Sequence, residues 1–179
     1  MILIIKTNKE PLHDLEFVKP IENIIANGNR MFKTKHYKEV NSKDISNSTK
    51  IIICGTSLKD FDYIKDIKKF QWIKEYDKPI LGICAGMQII ALIHGQKLIK
   101  SEHIGMNKAI FKKEFLGLTG KHEVYELHQM CPTTQGEDFI KFTNSKIPQA
   151  IKLKNKPIYG TLFHPEVRNK ELILNFAKL

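Results

Sequence analysis

Cys84 stands between two glycines in Gly82-Ile83-Cys84-Ala85-Gly86, after the apolar run Pro79-Ile80-Leu81 and before Met87-Gln88-Ile89-Ile90-Ala91-Leu92-Ile93. A short strand, a glycine-flanked thiol and a helix read in that order. The chemistry this suits is nucleophilic attack on an acyl carbon. A sharp strand-to-helix turn exposes the nucleophile and crowds the backbone around it, and glycines two residues away on each side relieve the clash. The same turn sets the thiol at a helix N-terminus, where unpaired N–H groups favour the reactive thiolate. Taken alone, the pattern also fits a structural cysteine buried between two packed elements.

His164 and Glu166 supply what a thiol nucleophile needs. They lie in Pro157-Ile158-Tyr159-Gly160-Thr161-Leu162-Phe163-His164-Pro165-Glu166, which reads as a strand running into a loop. A thiol needs a base to take its proton and return it to the leaving group, and that base needs an acceptor to fix its tautomer. Residues two apart in an extended segment point to one side. The Glu166 carboxylate can therefore reach one ring nitrogen while the other faces the sulfur, and Pro165 stiffens the link. A His-Pro-Glu by itself is also an ordinary polar turn; it is the joint occurrence with the glycine-flanked cysteine that points to a Cys-His-Glu triad.

The elements that must position these groups alternate between strand and helix. Ile2 to Ile5 is strand-like, and Leu12 to Ala26 reads as a helix closed near Asn27-Gly28-Asn29. Phe32 to Val40 alternates like a strand, and Lys50-Ile51-Ile52-Ile53-Cys54 is a buried strand closed by Gly55. Asp60 to Tyr76 reads as a helix, with Phe61, Ile64, Ile67, Trp72, Ile73 and Tyr76 available to its inner face. From about Lys97 to Leu162 the pattern shifts to shorter strand-type segments: Lys108 to Phe111, Glu123 to Leu127, Phe139 to Phe142 and Gln149 to Leu153. No repeat, linker or low-complexity tract interrupts the chain. The expected fold is α/β, a mostly parallel central sheet with helices on both faces, in one domain over residues 1–179. Cys84 and His164 both follow expected strands, where such sheets carry their sites.

Together these residues resemble the class I (triad-type) glutamine amidotransferases. Ile80-Leu81-Gly82-Ile83-Cys84-Ala85-Gly86-Met87-Gln88 is similar to that family's nucleophile motif, and Gly160-Thr161-Leu162-Phe163-His164-Pro165-Glu166-Val167 to its histidine–glutamate motif. His94-Gly95-Gln96-Lys97-Leu98, Glu102-His103-Ile104-Gly105 and the closing Glu171-Leu172-Ile173-Leu174-Asn175-Phe176 resemble further family segments, so the likeness spans nearly the whole chain. Within the family, the pattern around His128, His164 and the C-terminal helix looks most like the amidotransferase subunit of two-subunit GMP synthases. The resemblance implies a flavodoxin-like fold and a glutaminase: Cys84 attacks the side-chain amide of glutamine, His164 protonates departing ammonia, and Glu166 orients His164.

Other roles follow from the same resemblance. An amide passes through a tetrahedral oxyanion on acyl transfer, and backbone N–H groups aimed at that oxygen stabilise it by about 3 kcal/mol each. Ala85, next after the nucleophile, supplies one such donor, and Gly55 matches the second; a plain strand-end turn is the alternative for Gly55. Gln88, one helical turn beyond Cys84, is a candidate substrate ligand or else a helix residue satisfied in the core. Leu127, His128 and Gln129 sit where the family has a substrate-contacting loop, though His128 suits a structural role equally well. Two departures stand out. The family commonly has a Gly-Pro-Gly-like run after Gly55 where this chain has Thr56-Ser57-Leu58, and Ser-His-Gly or Asn-His-Gly where it has Leu127-His128-Gln129. Side chains in place of glycine narrow the space for the substrate's α-amino and carboxylate groups.

Composition narrows the partners. Net charge is +10, but the lysines are dispersed, and the densest patches, Lys65 to Lys69 and Lys152 to Lys156, are short and interleaved with apolar residues. They read as solvated faces of a helix and a hairpin rather than a nucleic-acid surface, and a complementary acidic partner subunit suits them as well. No apolar run approaches the roughly 20 residues of a membrane span, and Met1 to Lys6 is too short for a signal peptide. Three cysteines suit a reducing cytoplasm better than a disulfide framework. His13, His36, His94, His103 and His122 have no metal-site spacing, and no metal or cofactor is expected. At 179 residues the chain has no room for a synthetase. The expected partners are glutamine and a separate synthetase subunit that accepts ammonia, with no nucleic acid and no membrane. The alternatives are a stand-alone γ-glutamyl peptidase or hydrolase and a catalytically silent regulatory subunit.

Overall fold

The computed structural model describes residues 1–179. Strand β1 (Ile2–Lys6) is followed by a 3-10 turn at Pro11–His13, helices α1 (Asp14–Phe17) and α2 (Lys19–Asn27), strand β2 (Phe32–His36), helix α3 (Ser42–Asn47) and strand β3 (Lys50–Ile53). Helix α4 (Asp62–Lys65) and a 3-10 run over Ile67–Glu75 lead to strand β4 (Ile80–Ile83) and helix α5 (Ala85–Ile93). Two long strands, β5 (Leu98–Phe115) and β6 (Leu118–Pro132), precede β7 (Phe139–Lys141), β8 (Ala150–Leu153), β9 (Ile158–Thr161) and helix α6 (Lys170–Lys178).

Seven strands make the central sheet in the order β2-β1-β3-β4-β9-β8-β7. The first five are mutually parallel, β8 runs antiparallel to β9, and β7 antiparallel to β8. The expected mostly parallel α/β architecture is therefore present. Both faces of the sheet are covered, so its inner strands are apolar without alternation: Ile51, Ile52, Ile53, Ile80, Leu81 and Ile83 are all fully buried. Successive residues serve opposite faces. Ile4, Ile52 and Leu81 pack with Ile21 and Ile25 of α2 and Phe176 of α6. Leu3, Ile5, Ile53 and Ile80 pack with Phe70, Ile73, Ile89 and Ile90 on the other side. Burying one such side chain contributes about 2 kcal/mol, more than the 0–1 kcal/mol typical of the surface ion pairs that the many lysines make. The sheet interior, rather than the charged exterior, holds the fold.

Three elements differ from expectation. The helix expected over Leu12 to Ala26 is broken at Val18, because Pro20 has no N–H for the carbonyl of Glu16 and a new helix must start around it. The helix expected over Asp60 to Tyr76 is a single α-turn followed by a 3-10 run. Phe70, Ile73 and Tyr76, all buried, recur every three residues, which matches three residues per turn. The segments Lys108 to Phe111 and Glu123 to Leu127 are not short strands of the central sheet. They are the middle of a separate two-stranded hairpin, β5–β6. Its tip, Leu116-Gly117, has positive φ at both residues (50° and 90°), the backbone of the two-residue turn that matches strand twist.

The hairpin is fastened across the carboxyl edge of the sheet. His164 N–H donates to Tyr125 O at 2.8 Å, Glu126 bridges to Phe163, and Asn144 N–H donates to Ile110 O at 2.9 Å. No helix is long and apolar enough to cross a membrane.

Candidate active site

Strand β4 delivers Cys84 into a turn with φ +49° and ψ −100°, a conformation that a residue with a Cβ adopts only at a cost of about 1–3 kcal/mol. The turn closes only around glycine. A Cβ on Gly82 would sit 2.5 Å from the carbonyl of Gly86, and one on Gly86 would sit 2.3 Å from Ile53 O. Cys84 N–H donates to Thr161 O at 2.7 Å, and Cys84 O accepts from Gln88 N–H at 3.0 Å, so the residue is tied to β9 and to the first turn of α5. Its Sγ lies 3.4 Å from Leu127 O.

His164 and Glu166 leave the end of β9 and turn inward. Nδ1 of His164 is 2.8 Å from Glu166 Oε1, and both side chains are almost completely buried. The phenyl ring of Phe17 packs 5.5 Å from the imidazole, centroid to centroid. Burial alone would lower the His164 pKa; the Glu166 carboxylate and the neighbouring Cys84 outweigh it and hold the imidazole well above its ordinary range. Nε2 of His164, on the side away from Glu166, is buried and makes no hydrogen bond. Burial pushes the thiols of Cys54 and Cys131 up, and all three cysteines are free.

Gly55 completes the packing around the dyad. A Cβ on it would fall 2.6 Å from His164 Cε1 and 3.5 Å from Cys84 Cβ, so this residue lies against both. Gly55 and Ala85 are buried, and neither N–H donates to another backbone carbonyl. Buried N–H groups in folded proteins are nearly always paired, and two unpaired ones flank Cys84.

Gln88 is buried with both ends of its amide engaged. Tyr63 hydroxyl donates to Oε1, and Nε2 donates to Met130 O at 2.9 Å. Burial pushes the Tyr63 phenol up and keeps it a donor. His128 is also buried; Nδ1 is 2.8 Å from Ser101 O and Nε2 3.4 Å from Glu126 Oε2. Leu127 and Gln129 are half-buried beside it. Cys84, Gln88, Leu127, His128 and Gln129 bound one cavity with Ser57 and Tyr63, and its volume is about 20 Å³. His164 and Glu166 do not line that cavity; with Phe17, Tyr125, Leu127 and Val167 they line a second one of about 290 Å³.

Two neighbours of the site escaped the sequence reading. Tyr63 was hidden in an apolar helix-like stretch, with no spacing to set it apart. Glu126 was legible in principle, since Val124, Glu126 and His128 alternate on the inward face of β6 and a charge at an inward position is a signal. Its carboxylate is buried and accepts from Gln149 Nε2, from Asn107 Nδ2 at 3.2 Å and from His128. Burial raises its pKa and these donors lower it further, leaving it below the usual carboxylate value.

Comparison with known proteins agrees with this geometry. Residues 16–176 match the model of the family described as glutamine amidotransferase class-I. The chain belongs to that family. Among curated amidotransferase relatives, a glutamine-hydrolyzing GMP synthase subunit of Pyrococcus abyssi is 32% identical over 173 residues, covering 84% of this chain and 91% of the relative. The protein of the same name from Thermoplasma volcanium is 32% identical over 120 residues, which span 61% of this chain and 59% of that protein. Among solved structures, a protein assigned as a GMP synthase subunit from Thermoplasma acidophilum superposes with a TM-score of 0.84 at 23% identity, over 99% of this chain and 93% of the other. That likeness shows the amidotransferase fold.

Proposed function

We propose that this chain is the glutaminase subunit of a two-subunit synthetase, and that it hydrolyses glutamine through a Cys84–His164–Glu166 triad. The observation that carries the reading is the buried His164–Glu166 pair, 2.8 Å apart, set against a cysteine in a strained glycine-flanked turn. The Cys84 thiolate attacks the side-chain amide carbon, and the carbonyl π electrons move onto oxygen. The N–H groups of Gly55 and Ala85 receive that oxyanion. As the tetrahedral intermediate collapses, the C–N bond breaks and His164 gives its proton to the departing nitrogen, releasing ammonia and leaving a thioester on Cys84. Water then attacks the thioester, His164 takes its proton, and the C–S bond breaks to release glutamate. Glu166 holds the imidazole and favours its charged form, the proton donor of the first half.

Gln88, Leu127, His128 and Gln129 form the substrate wall in this reading. The Tyr63 and Met130 contacts fix which way the Gln88 amide faces, leaving one N–H of its Nε2 for a ligand. Ammonia passes to a synthetase on a separate chain. Relatives named as GMP synthase subunits favour the GMP synthase partner. In this reading the chain acts in the cytoplasm as one amidotransferase domain. The test is ammonia release from glutamine by the purified chain, alone and with the synthetase subunit of a GMP synthase, against Cys84→Ala. Turnover that depends on Cys84 and rises with the synthetase is the expected result. Release from γ-glutamyl peptides, with none from glutamine under either condition, would overturn it in favour of a stand-alone hydrolase.

A further inference from the structure

We propose that Thr7 is a positioning residue for the oxyanion hole, an inference that rests on the acyl-transfer reading of Cys84. The parallel ladder between β1 and β3 ends at Ile5 and Ile53, with a last rung from Cys54 N–H to Ile5 O. Beyond that point the chain at Cys54-Gly55-Thr56 has no strand partner. The Thr7 hydroxyl takes over, lying 3.2 Å from Cys54 O and 3.1 Å from Gly55 O, and it is itself buried. The two successive carbonyls therefore share the single O–H of this side chain.

Peptide planarity turns this into a statement about N–H groups. In a trans peptide the C=O and the N–H of the next residue point in opposite directions. Holding Cys54 O and Gly55 O toward Thr7 aims the N–H groups of Gly55 and Thr56 away from it. His164 and Cys84 pack on the Cβ side of Gly55, and neither the Gly55 nor the Thr56 N–H donates to a backbone carbonyl. A second clamp from the same segment steadies the loop: Asp60 Oδ2 accepts from Lys9 N–H at 2.6 Å and from Thr56 Oγ1 at 3.0 Å. Thr7 touches neither substrate nor the reacting atoms; it acts through the peptides on either side of Gly55.

The experiment separates oxyanion stabilisation from thiol reactivity. p-Nitrophenyl acetate acylates a thiolate through a tetrahedral oxyanion, forming the thioester and expelling p-nitrophenolate. Iodoacetamide alkylates the same sulfur by direct displacement of iodide, with no oxyanion. Thr7→Val, near in shape but without the hydroxyl, should lose about tenfold in acylation rate, less than deleting a donor outright would cost. Alkylation should be unchanged. Thr7→Ser should restore acylation, and Thr7→Cys, a weak donor, should fall between. Full acylation in Thr7→Val, a parallel fall in acylation and alkylation, an ungraded series, or a wild type that the ester does not acylate would each overturn the proposal. A wild type that is acylated yet releases no ammonia from glutamine, with or without a synthetase, would refute the glutaminase reading and leave the role of Thr7 standing.

Discussion

Replacing Gly55 with alanine should disable the site by moving His164, and the size of the effect can be worked from the structure. The new Cβ would stand 2.6 Å from His164 Cε1, which is 0.8 Å short of the 3.4 Å where ordinary contact begins. The imidazole cannot swing aside, since it is buried, tied to Glu166 and packed against Phe17. Gly55 cannot retreat either, because its carbonyl is held by Thr7. A displacement near 1 Å in a catalytic group costs about 100-fold in rate, and overpacking of this kind costs about 1–3 kcal/mol in stability. At roughly 3 °C per kcal/mol for a chain of this size, Tm should fall by several degrees. Glutaminase kcat and thermal unfolding of Gly55→Ala measure both, with Gly95→Ala as the control. Gly95 has φ +78° but nothing near its Cβ, so that variant should lose about 1 kcal/mol of stability and no activity. Gly55→Ala with near wild-type kcat would refute the packing of His164 against Gly55.

Cys84→Ala should remain folded and lose all turnover, and iodoacetamide should label Cys84 in the native protein well before Cys54, whose thiol is pushed up by burial; mass spectrometry of the labelled peptides decides this. Glu166→Gln keeps an acceptor for His164 Nδ1 but loses the charge that raises the imidazole pKa, so kcat should fall about tenfold, the difference between charged and neutral hydrogen bonds, and the His164 titration followed by NMR should move down. Glu126→Gln should destabilise the chain at neutral pH by about 2 kcal/mol, because an amide N–H would face one of the donors that the carboxylate now accepts. The native Glu126 pKa is lowered, so the advantage of wild type is complete above the ordinary value of 4.5 and shrinks as pH falls through the lowered native value; urea unfolding of both proteins across acid pH measures it.

What the sequence disclosed and what it hid divide by the range of the interactions. The β4–Cys84–α5 turn was legible because its constraint is local: glycines at positions 82 and 86 are demanded by backbone atoms of neighbouring residues and of β3. Of the five parallel strands, β1, β3 and β4 were legible from Ile-rich runs buried on both faces, whereas the edge strand β2 showed only alternation. The β5–β6 hairpin was not, since its tip is Leu-Gly rather than Asn-Gly and its outer face carries Ile104, Met106 and Ile110, half-exposed residues that blur the alternation. The break at Val18 was written in Pro20 and outweighed by helical periodicity. Thr7, Tyr63 and Glu126 act across 23 to 48 residues of chain, and a single sequence does not record such contacts.

On the proposed reading, the cavity beside Cys84 links this architecture to control by a partner. At about 20 Å³ it has room for one water, whereas small-molecule sites run to about 300 Å³ or more. If glutamine binds against these walls, it does so in a different arrangement of them. Gln88 and Tyr63 are buried and bonded to each other, so the walls that can yield are Ser57-Leu58 and Leu127-Gln129, all half-buried apart from His128. If only a fraction of molecules is open, the apparent dissociation constant for glutamine rises by the inverse of that fraction, while the rate within the bound, open state is untouched. Ser57→Gly should then lower KM and leave kcat nearly unchanged. A synthetase that prefers the open arrangement would do the same, and linkage requires the converse: a glutamine analogue fixed on Cys84 should tighten binding of that synthetase by the same factor. Titrating the synthetase against wild type and Ser57→Gly, each with and without the analogue, measures all four corners of the cycle. A low KM in isolated wild type, or an analogue that leaves the affinity for the synthetase unchanged, would show that the closed cavity is not what limits the enzyme.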